Sequence, residues 1–490
     1  MGHSAIIVGS GFAGLSAACF LSHAGWKVTV IEKNATPGGR AAQLQENGFT
    51  FDKGPSFYWM PGVFERFFSH FGKTVASQYE LTRLDPSYRV YWDNEFTDIP
   101  ADYNSIRNIF ESMEPGSAAK LDRFLEGAEY KYKTGMGNLV YKPGRSLLEF
   151  LDWKTVSGVA RLQVFTSMHR HIRKYFKHPR LIQLLEFPVL FLGALPKDTP
   201  ALYSLMNYAD LKEGTWYPKG GIYAVVNAMY RLALSLGVEF RFNENVTSID
   251  IADGSAGSVT THTGRYKADA VISAADYHFT ETKLLPPEYR SYSDKYWATR
   301  VMAPSCLLYY VGLNKKLEDP VHHALFFDTP FAQHGHEIYR DPQWPAAPLF
   351  YVSAPSVTEP GLAPPGCETL VFLVPVASGL EGDTEALREK YFRMILERME
   401  KRTGVKIADA IVYRRSYAIK DFEQDYNSFR GNAYGLANTL KQTAIFRPSC
   451  KSKKVKNLYF TGQLTVPGPG VPPSLVSGEV VAKQVIRSFQ

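Results

Sequence analysis

The chain contains few cysteines and no long apolar run. Its four cysteines, Cys19, Cys306, Cys367 and Cys450, are scattered over 490 residues without the spacing of a zinc site or of a disulfide framework. No stretch of roughly 18 uncharged apolar residues occurs, so we predict no transmembrane helix. An apolar strand is predicted from about residue 4, and we therefore expect no signal peptide. These features favour a reducing compartment, with Cys19 as a small core residue.

The sequence also gives little support for a nucleic acid or a metal ion as a ligand. No stripe of arginine and lysine with interleaved aromatic residues indicates nucleic-acid binding. The paired histidines lack a carboxylate at metal-ligand spacing, so we predict no metal site and expect these pairs on the surface or in loops. They are His169 and His171, His322 and His323, and His334 and His336. A hydrophobic content of 45%, with 21% charged residues, predicts a folded protein with a sizeable core, as one large domain or two interleaved ones.

The first forty residues carry the strongest signal. An apolar run from Ala5 to Val8 leads into a glycine turn and a small-residue helix, and a second apolar run ends at Glu32. In this pattern the glycines allow a tight turn, the approach of a pyrophosphate and close packing of helix on sheet, while the helix N-terminus favours the anion. Glu32 can accept hydrogen bonds from an adenosine ribose and would repel a 2′-phosphate. The predicted dinucleotide-binding residues here are Gly9, Ser10, Gly11, Phe12, Ala13, Gly14, Glu32 and Lys33.

A second pattern separates FAD from NAD. Gly38-Gly39-Arg40 and then Phe51-Asp52-Lys53-Gly54-Pro55-Ser56 follow the acidic residue, and no second glycine motif of the first type occurs. Here the chain resembles the superfamily of FAD-containing amine oxidases and carotenoid desaturases, in which this segment wraps the flavin side of FAD. The resemblance implies FAD contacts at Gly39, Arg40, Gly54, Pro55 and Ser56, and no NADPH domain of its own.

Two later blocks follow the order of that superfamily. Trp216–Gly221 leads into a predicted helix over Ile222–Leu236 and strands that include Asn245–Ile249 and Ala270–Ala274. The resemblance places backbone contacts to adenine at Val246. Near the C-terminus a strand ends at Gly462, a loop covers 463–474, and a helix is predicted over Leu475–Ile486. Its start would face the electron-rich end of a reduced flavin, with Gly462, Gly470, Val471 and Pro472 as cofactor contacts.

These blocks predict an α/β protein with a discontinuous, Rossmann-like FAD-binding domain of the GR2 type. We expect that domain to comprise residues 1–70, 215–290 and 415–490. Residues 71–214 and 291–414 would form an inserted α+β domain that binds the substrate and faces a membrane.

With all three blocks in place, the chain is similar over its length to the bacterial-type carotenoid desaturases. The specific marks include Gly11-Phe-Ala-Gly-Leu15, Trp216–Gly221 and the ending Gly462–Gly478. Gln463 stands where the wider superfamily usually has an aspartate that meets the ribityl chain. The resemblance implies FAD, a long polyene and membrane association.

Several activities fit this resemblance. The whole chain leans to 3,4-desaturation of a γ-carotene-type or 1′-hydroxylated carotenoid, and a phytoene desaturase is the first alternative. A carotene isomerase, another amine-oxidase-like oxidase and a non-enzymatic lipid carrier would share the FAD blocks.

Desaturation would transfer a hydride to the flavin, and quinone or oxygen would then accept the electrons. The proton acceptor is open; Glu149 and Asp152, beside aromatic residues, are the candidates. The segment 159–195 combines a basic half with an apolar run from Leu184 to Leu192, so we expect peripheral binding to the cytoplasmic face of a membrane. Its basic residues are Arg161, Arg170, Arg173, Lys174, Lys177 and Arg180.

Overall fold

The computed structural model describes residues 2–146, 149, 162–191 and 193–490, and within them a five-stranded parallel sheet forms one half of the molecule. Its central strands are buried on both faces, because helices such as Phe12–His23 cover one face and the antiparallel strands Val246–Ala252 and Ser255–Thr261 cover the other. In spatial order the strands are Leu458–Phe460, Ala270–Ser273, Ser4–Val8, Lys27–Ile31 and Glu239–Arg241. The predicted α/β class with a Rossmann-like sheet is confirmed.

The first and last helices of the chain, Phe12–His23 and Val471–Ser488, pack against each other beside this sheet. The contact is close because small residues meet there: a Cβ on Gly478 would lie 2.4 Å from the Ala13 carbonyl oxygen. Ser16 Oγ donates to the Leu475 carbonyl oxygen at 2.7 Å. Cys19 is fully buried in this helix, as predicted.

The last helix begins four residues earlier than predicted. It starts at Val471, so the predicted loop is shorter and its prolines lie in the first helical turn. Proline is compatible with that turn because its N–H would have no partner within the helix and its φ is already helical.

A seven-stranded sheet, antiparallel except at one pair, forms the other half. In order its strands are Ile411–Tyr417, Ser305–Leu313, Glu368–Val376, Phe350–Ser353, His323–Phe326, Tyr88–Tyr91 and Phe96–Ile99. Alternate residues of the strand Ser305–Leu313 enter different cores: Leu308 and Tyr310 face one, Leu307 and Tyr309 the other. The helix Glu385–Thr403 covers the second face.

Shorter elements connect the two halves. A three-stranded antiparallel sheet comprises Val246–Ala252, Ser255–Thr261 and Arg265–Lys267, and two-stranded ribbons pair Gln43–Glu46 with Phe49–Asp52 and Leu81–Arg83 with Trp216–Pro218. Further helices are Pro61–Ser69, Tyr103–Met113, Ser117–Gly137, Met168–Ile172, Pro179–Phe191, Leu205–Tyr208, Ile222–Ser235, Tyr277–Phe279, Asp294–Ala298, Phe331–Tyr339 and Ile419–Tyr426. In the part of the chain that the structure describes, no helix has both the length and the apolarity to span a bilayer.

Candidate functional site

One cavity extends from the carboxyl ends of the parallel strands to the inner face of the antiparallel sheet. This is the edge at which open α/β sheets bind their ligands. All but one of the predicted cofactor residues line it: Gly9, Ser10, Gly11, Phe12, Ala13, Glu32, Lys33, Gly39, Arg40, Gly54, Pro55, Ser56, Val246, Gly462, Gly470, Val471 and Pro472. Gly14 lies behind the lining, where a Cβ would be 2.1 Å from the Gly9 carbonyl oxygen.

The turn before the first helix leaves space for a ligand. Gly9 has a φ of 100°, which favours glycine, and Gly11 caps the helix without any side-chain hydrogen bond. A Cβ on Gly11 would meet only the Gly38 carbonyl oxygen, at 4.0 Å, so the space above it is open. The N–H groups of the first helical turn face this space, as a pyrophosphate requires.

Glu32 lies at the end of the second parallel strand and is only 5% exposed. Its Oε2 accepts hydrogen bonds from the Ser10 N–H and Ser10 Oγ, both at 2.8 Å, and its Oε1 accepts one from the Asn34 N–H at 2.9 Å. The carboxylate is therefore fixed in orientation by neutral donors and keeps lone pairs for ribose hydroxyls. Lys33 instead donates to the Gln424 carbonyl oxygen at 2.6 Å.

Arg40 occupies the junction between the two halves. Its guanidinium bonds Ser428 Oγ and the Asn432 carbonyl oxygen, and its Nε has no partner among the described residues. Burial lowers the pKa of Arg40, and the Asp276 charge opposes that shift. An unpartnered donor on a buried cation beside the cavity fits an electron-rich ligand group.

The segment after Arg40 is held very close to it. A Cβ on Gly54 would lie 2.4 Å from the Arg40 carbonyl oxygen, so only glycine fits without a shift of the backbone. One end of the Gln463 amide lies 2.9 Å from Asn432 Oδ1 and 3.0 Å from an Arg40 guanidinium nitrogen. The residue that departs from the superfamily pattern is thus part of the Arg40 network.

The start of the last helix offers a single donor. Gly470, with a φ of 112°, precedes it, and Val471 is followed by two prolines that have no N–H. Only Val471 among the first three helical residues can donate to a ligand, so any stabilisation of an anion here comes from one N–H and the helix dipole.

Of the two candidate proton acceptors, only Glu149 lies among the described residues. Its carboxylate accepts backbone hydrogen bonds from Gly144 at 2.9 Å and Arg145 at 3.3 Å, which closes a local turn. Glu149 is not among the residues that line the cavity. Asp152 lies outside the described residues.

The far end of the cavity is apolar and was not predicted residue by residue. Its walls come from the antiparallel sheet, the loop after Ser56 and the helix Pro179–Phe191, and no short motif connects these elements. They include Phe57, Trp59, Phe187, Pro188, Met206, Cys306, Leu308, Leu373 and Tyr434. Tyr351, on the same wall, donates to Ser56 Oγ at 2.9 Å. The in–out alternation of the strands could have indicated Cys306, Leu308 and Leu373, whereas the wall residues outside strands carry no such signal.

The expectation that the paired histidines lie on the surface is wrong for several of them. His323 and His334 are fully buried, and His171 is 3% exposed. His334 bonds the Pro375 carbonyl oxygen at 2.9 Å and the Leu349 N–H at 3.0 Å, so burial leaves its nitrogens partnered. Burial lowers the pKa of His323 well below its usual value and keeps the ring neutral.

In the segment 159–195, the apolar run and the basic residues lie in different surroundings, contrary to the expectation of one membrane-facing segment. Its apolar run is internal: Leu184, Leu185, Phe187 and Val189 are buried in the core, while Arg161 and Leu192 lie outside the described residues. The basic residues Arg170, Arg173, Lys174 and Lys177 are exposed, and Phe165 is the most exposed large apolar side chain described, at 84%.

Comparison with known proteins agrees with this geometry. Residues 12–486 match the model of the family described as flavin containing amine oxidoreductase. A carotenoid 3,4-desaturase of Haloarcula japonica is 40% identical over 490 residues, covering 100% of this chain and 99% of that protein. A zeta-carotene-forming phytoene desaturase of Myxococcus xanthus is 33% identical, covering 99% of this chain and 94% of that protein.

Among solved structures, an oxidoreductase from Methanosarcina mazei has a TM-score of 0.64 at 18% identity, covering 98% of this chain and 100% of that one. A redesigned putrescine oxidase also has a TM-score of 0.64, at 14% identity, with 99% of each chain covered. These two likenesses concern the fold. The chain belongs to the family of flavin-containing amine oxidoreductases. It is an FAD-dependent oxidoreductase.

Proposed function

We propose that this protein is an FAD-dependent carotenoid desaturase that introduces a C=C bond at the 3,4 position of a γ-carotene-type or 1′-hydroxylated carotenoid. The observation that carries the proposal is the single cavity with one end built for a dinucleotide and the other walled by apolar side chains. Apart from a 1′-hydroxyl at one end, such a carotenoid has no polar group to anchor, so its binding relies on such walls. The 40% identity to a carotenoid 3,4-desaturase supports the choice of bond.

Different cofactor residues bind different parts of FAD. The first helix, from Gly11, receives the pyrophosphate and Glu32 the adenosine ribose, while Val246 lies against the adenine. Arg40, Gly54 and the last helix from Val471 surround the flavin. When bound, FAD supplies the hydride acceptor of the reaction.

The apolar walls align the polyene in the cavity. Phe57, Phe187 and Leu373 restrict a rigid polyene to few orientations, and these apolar walls offer water no hydrogen-bond partners. The domain bounds follow the same division: residues 1–70, 215–290 and 415–490 bind FAD, and 71–214 with 291–414 bind the polyene.

The substrate is insoluble in water, which supports peripheral binding to a membrane. The exposed arginines and lysines near Phe165 would meet anionic headgroups while Phe165 enters the interface. This location also brings the flavin within reach of a membrane quinone, with oxygen as the second candidate acceptor.

Expression in cells that accumulate lycopene, γ-carotene or phytoene tests the proposal. We expect a coloured carotenoid to lose two hydrogens at a terminal position, seen in its mass and its red-shifted absorption. Conversion of phytoene to coloured products would replace the 3,4 assignment with phytoene desaturation. An unchanged pigment pool in all three strains would contradict carotenoid desaturation.

A further inference from the structure

Desaturation removes two hydrogens from adjacent carbons, and one of them must leave as a proton. The carboxylates of the described cavity wall already accept hydrogen bonds or form an ion pair, in contacts away from its apolar end. Glu32 bonds Ser10, Glu244 bonds Thr261, Asp276 accepts the N–H groups of Phe279 and Phe429, and Asp425 pairs with Lys53. The proton acceptor therefore has to be sought among other groups.

A tyrosine and a histidine provide such a group at the apolar end. Tyr351 lines the cavity, and its hydroxyl lies between Ser56 Oγ at 2.9 Å and His323 Nδ1 at 2.6 Å. His323 is fully buried, its ring stacks on Phe57 at 4.1 Å and 15°, and its Nε2 has no partner among the described residues. The Tyr351 hydroxyl thus connects the cavity to the His323 imidazole, whose Nε2 makes no hydrogen bond among the described residues.

We propose that Tyr351 and His323 together accept the proton of the desaturation, a step that rests on the proposed function. One C–H bond breaks and its hydride goes to the oxidised flavin. The C–H bond on the adjacent carbon breaks as Tyr351 Oη takes that proton; to pass its own hydrogen to His323 Nδ1, the hydroxyl first rotates away from Ser56 Oγ, to which it donates here. The electron pair left behind forms the new C=C bond.

A weak base is sufficient for this step. Loss of a hydride from a carbon beside the polyene leaves cationic character that the conjugated chain spreads, and the C–H next to it becomes strongly acidic. A neutral imidazole can accept such a proton through a hydroxyl. A hydride taken up by bound FAD would add one negative charge and the proton would add one positive charge to His323, so the net charge of the site would be unchanged.

Beyond His323, no described hydrogen bond continues the chain, since its Nε2 has no partner among the described residues. His322 lies next to it with 4.4 Å between ring centroids, and its Nδ1 is 2.7 Å from Thr358 Oγ1. Thr358 is half-buried, closer to solvent than either histidine.

Two variants test the pair. Tyr351→Phe removes only the hydroxyl, and His323→Asn keeps an amide that can bond Tyr351 but cannot take a proton. Tyr391→Phe is the matched control, because that buried hydroxyl donates to the Pro345 carbonyl oxygen at 2.6 Å and lies in a different core cluster. FAD content and melting temperature are measured for each protein before the kinetics.

The kinetic readout is bleaching of the flavin absorption in one anaerobic turnover. We expect either variant to slow it by about 100-fold, with unchanged FAD content, and the double variant to be no slower than the single ones. Substrates deuterated at one carbon distinguish chemistry from misalignment. The isotope effect of the proton-losing carbon should rise in both variants, whereas a shifted polyene would raise that of the hydride-losing carbon.

An unchanged bleaching rate, or an isotope effect that rises only at the hydride-losing carbon, would overturn the assignment. If Tyr351→Phe fails to fold, His323→Asn gives the same decision. A wild-type protein that desaturates none of the carotenoids contradicts the proposed function instead. An active wild-type protein with equally active variants contradicts the proton-accepting pair alone.

Discussion

The two ends of the cavity differ in the groups that they offer a ligand, which are mainly backbone groups at one end and side chains at the other. At the parallel sheet, the ligand would meet backbone N–H groups and glycines such as Gly11, with a few charged side chains in fixed contacts. At the antiparallel sheet, it would meet side chains such as Phe187 and Leu373 from elements that are distant in sequence. The first end recognises a constant cofactor, and the second can change its substrate by replacing side chains alone.

The largest difference is expected between two glycines three residues apart. A Cβ on Gly14 would lie 2.1 Å from the Gly9 carbonyl oxygen, so Gly14→Ala forces helix and sheet apart, at a cost of about 3 kcal/mol in folding free energy. A Cβ on Gly11 would meet only Gly38, at 4.0 Å. Gly11→Ala should fold normally and bind FAD at least about 10-fold more weakly, because the methyl group enters the pyrophosphate space.

Melting temperature of the FAD-free proteins and flavin content after purification separate these outcomes. A stable Gly14→Ala protein would show that the packing argument fails. Stoichiometric flavin in Gly11→Ala would show that the pyrophosphate lies elsewhere.

The next effect concerns charge at the cofactor end. Glu32→Ala removes the buried carboxylate proposed to bind the ribose, and we expect roughly 100-fold weaker FAD binding with activity restored by excess FAD. Glu239→Ala is the control, since that carboxylate is exposed and contacts Lys27 at 4.0 Å. Titration of the FAD-free proteins with FAD, followed by flavin fluorescence, measures the affinities. Equal affinities in both variants would remove the ribose assignment.

How well each end of the cavity could be predicted from the sequence depends on whether backbone or side chains form it. The glycine turn and Glu32 were predictable from a local spacing that fixes backbone geometry, and Gly39-Arg40 from the family resemblance; all of them contribute residues to the cavity wall. The parallel sheet is confirmed. The sequence predicts the start of the last helix four residues late because a run of glycine and proline favours a loop, although proline suits a first helical turn.

The apolar end was beyond local reasoning. His323 and Tyr351 lie on the paired strands His323–Phe326 and Phe350–Ser353, and only tertiary packing brings Tyr351 to Ser56, 295 residues earlier in the chain. Glu149 illustrates the opposite error, since aromatic neighbours in sequence suggested a cavity, whereas its carboxylate closes a turn of the backbone at Gly144. Side-chain surroundings at this end depend on tertiary packing, which no short pattern encodes.

A buried acid near the apolar end makes a prediction about pH. Burial raises the pKa of Asp210 to about 7; its carboxylate accepts from Tyr88 Oη at 2.8 Å, and Arg83 is the opposing charge. The folded state therefore binds more protons than the unfolded state between about pH 4 and 7, and stability falls as pH rises through that window. Asp210→Asn keeps an acceptor for Tyr88 and should be more stable than wild type at pH 8, by on the order of 2 kcal/mol.

Melting temperatures at pH 5 and pH 8 measure this difference. Asp269→Asn is a control of opposite sign, since the Ser4 N–H and Oγ hydrogen bonds hold the pKa of Asp269 below its usual value. Ionised Asp269 stabilises the fold above its unfolded pKa, so this variant should lose stability at pH 8. Parallel behaviour of the two variants would contradict the assigned pKa directions.

The smallest effect is expected where the protein would meet a membrane. Phe165 is 84% exposed near exposed arginines and lysines, and Phe165→Ser should weaken binding to phosphatidylglycerol vesicles about 5-fold, since part of one aromatic side chain leaves the interface. Phe96→Ser is the control, because Phe96 is 49% exposed on the edge strand of the antiparallel sheet. Cosedimentation with vesicles measures both. An equal loss in the two variants would mean that exposed apolar area, rather than this surface, determines vesicle binding, and the membrane-facing side would then have to be assigned to another part of the substrate half.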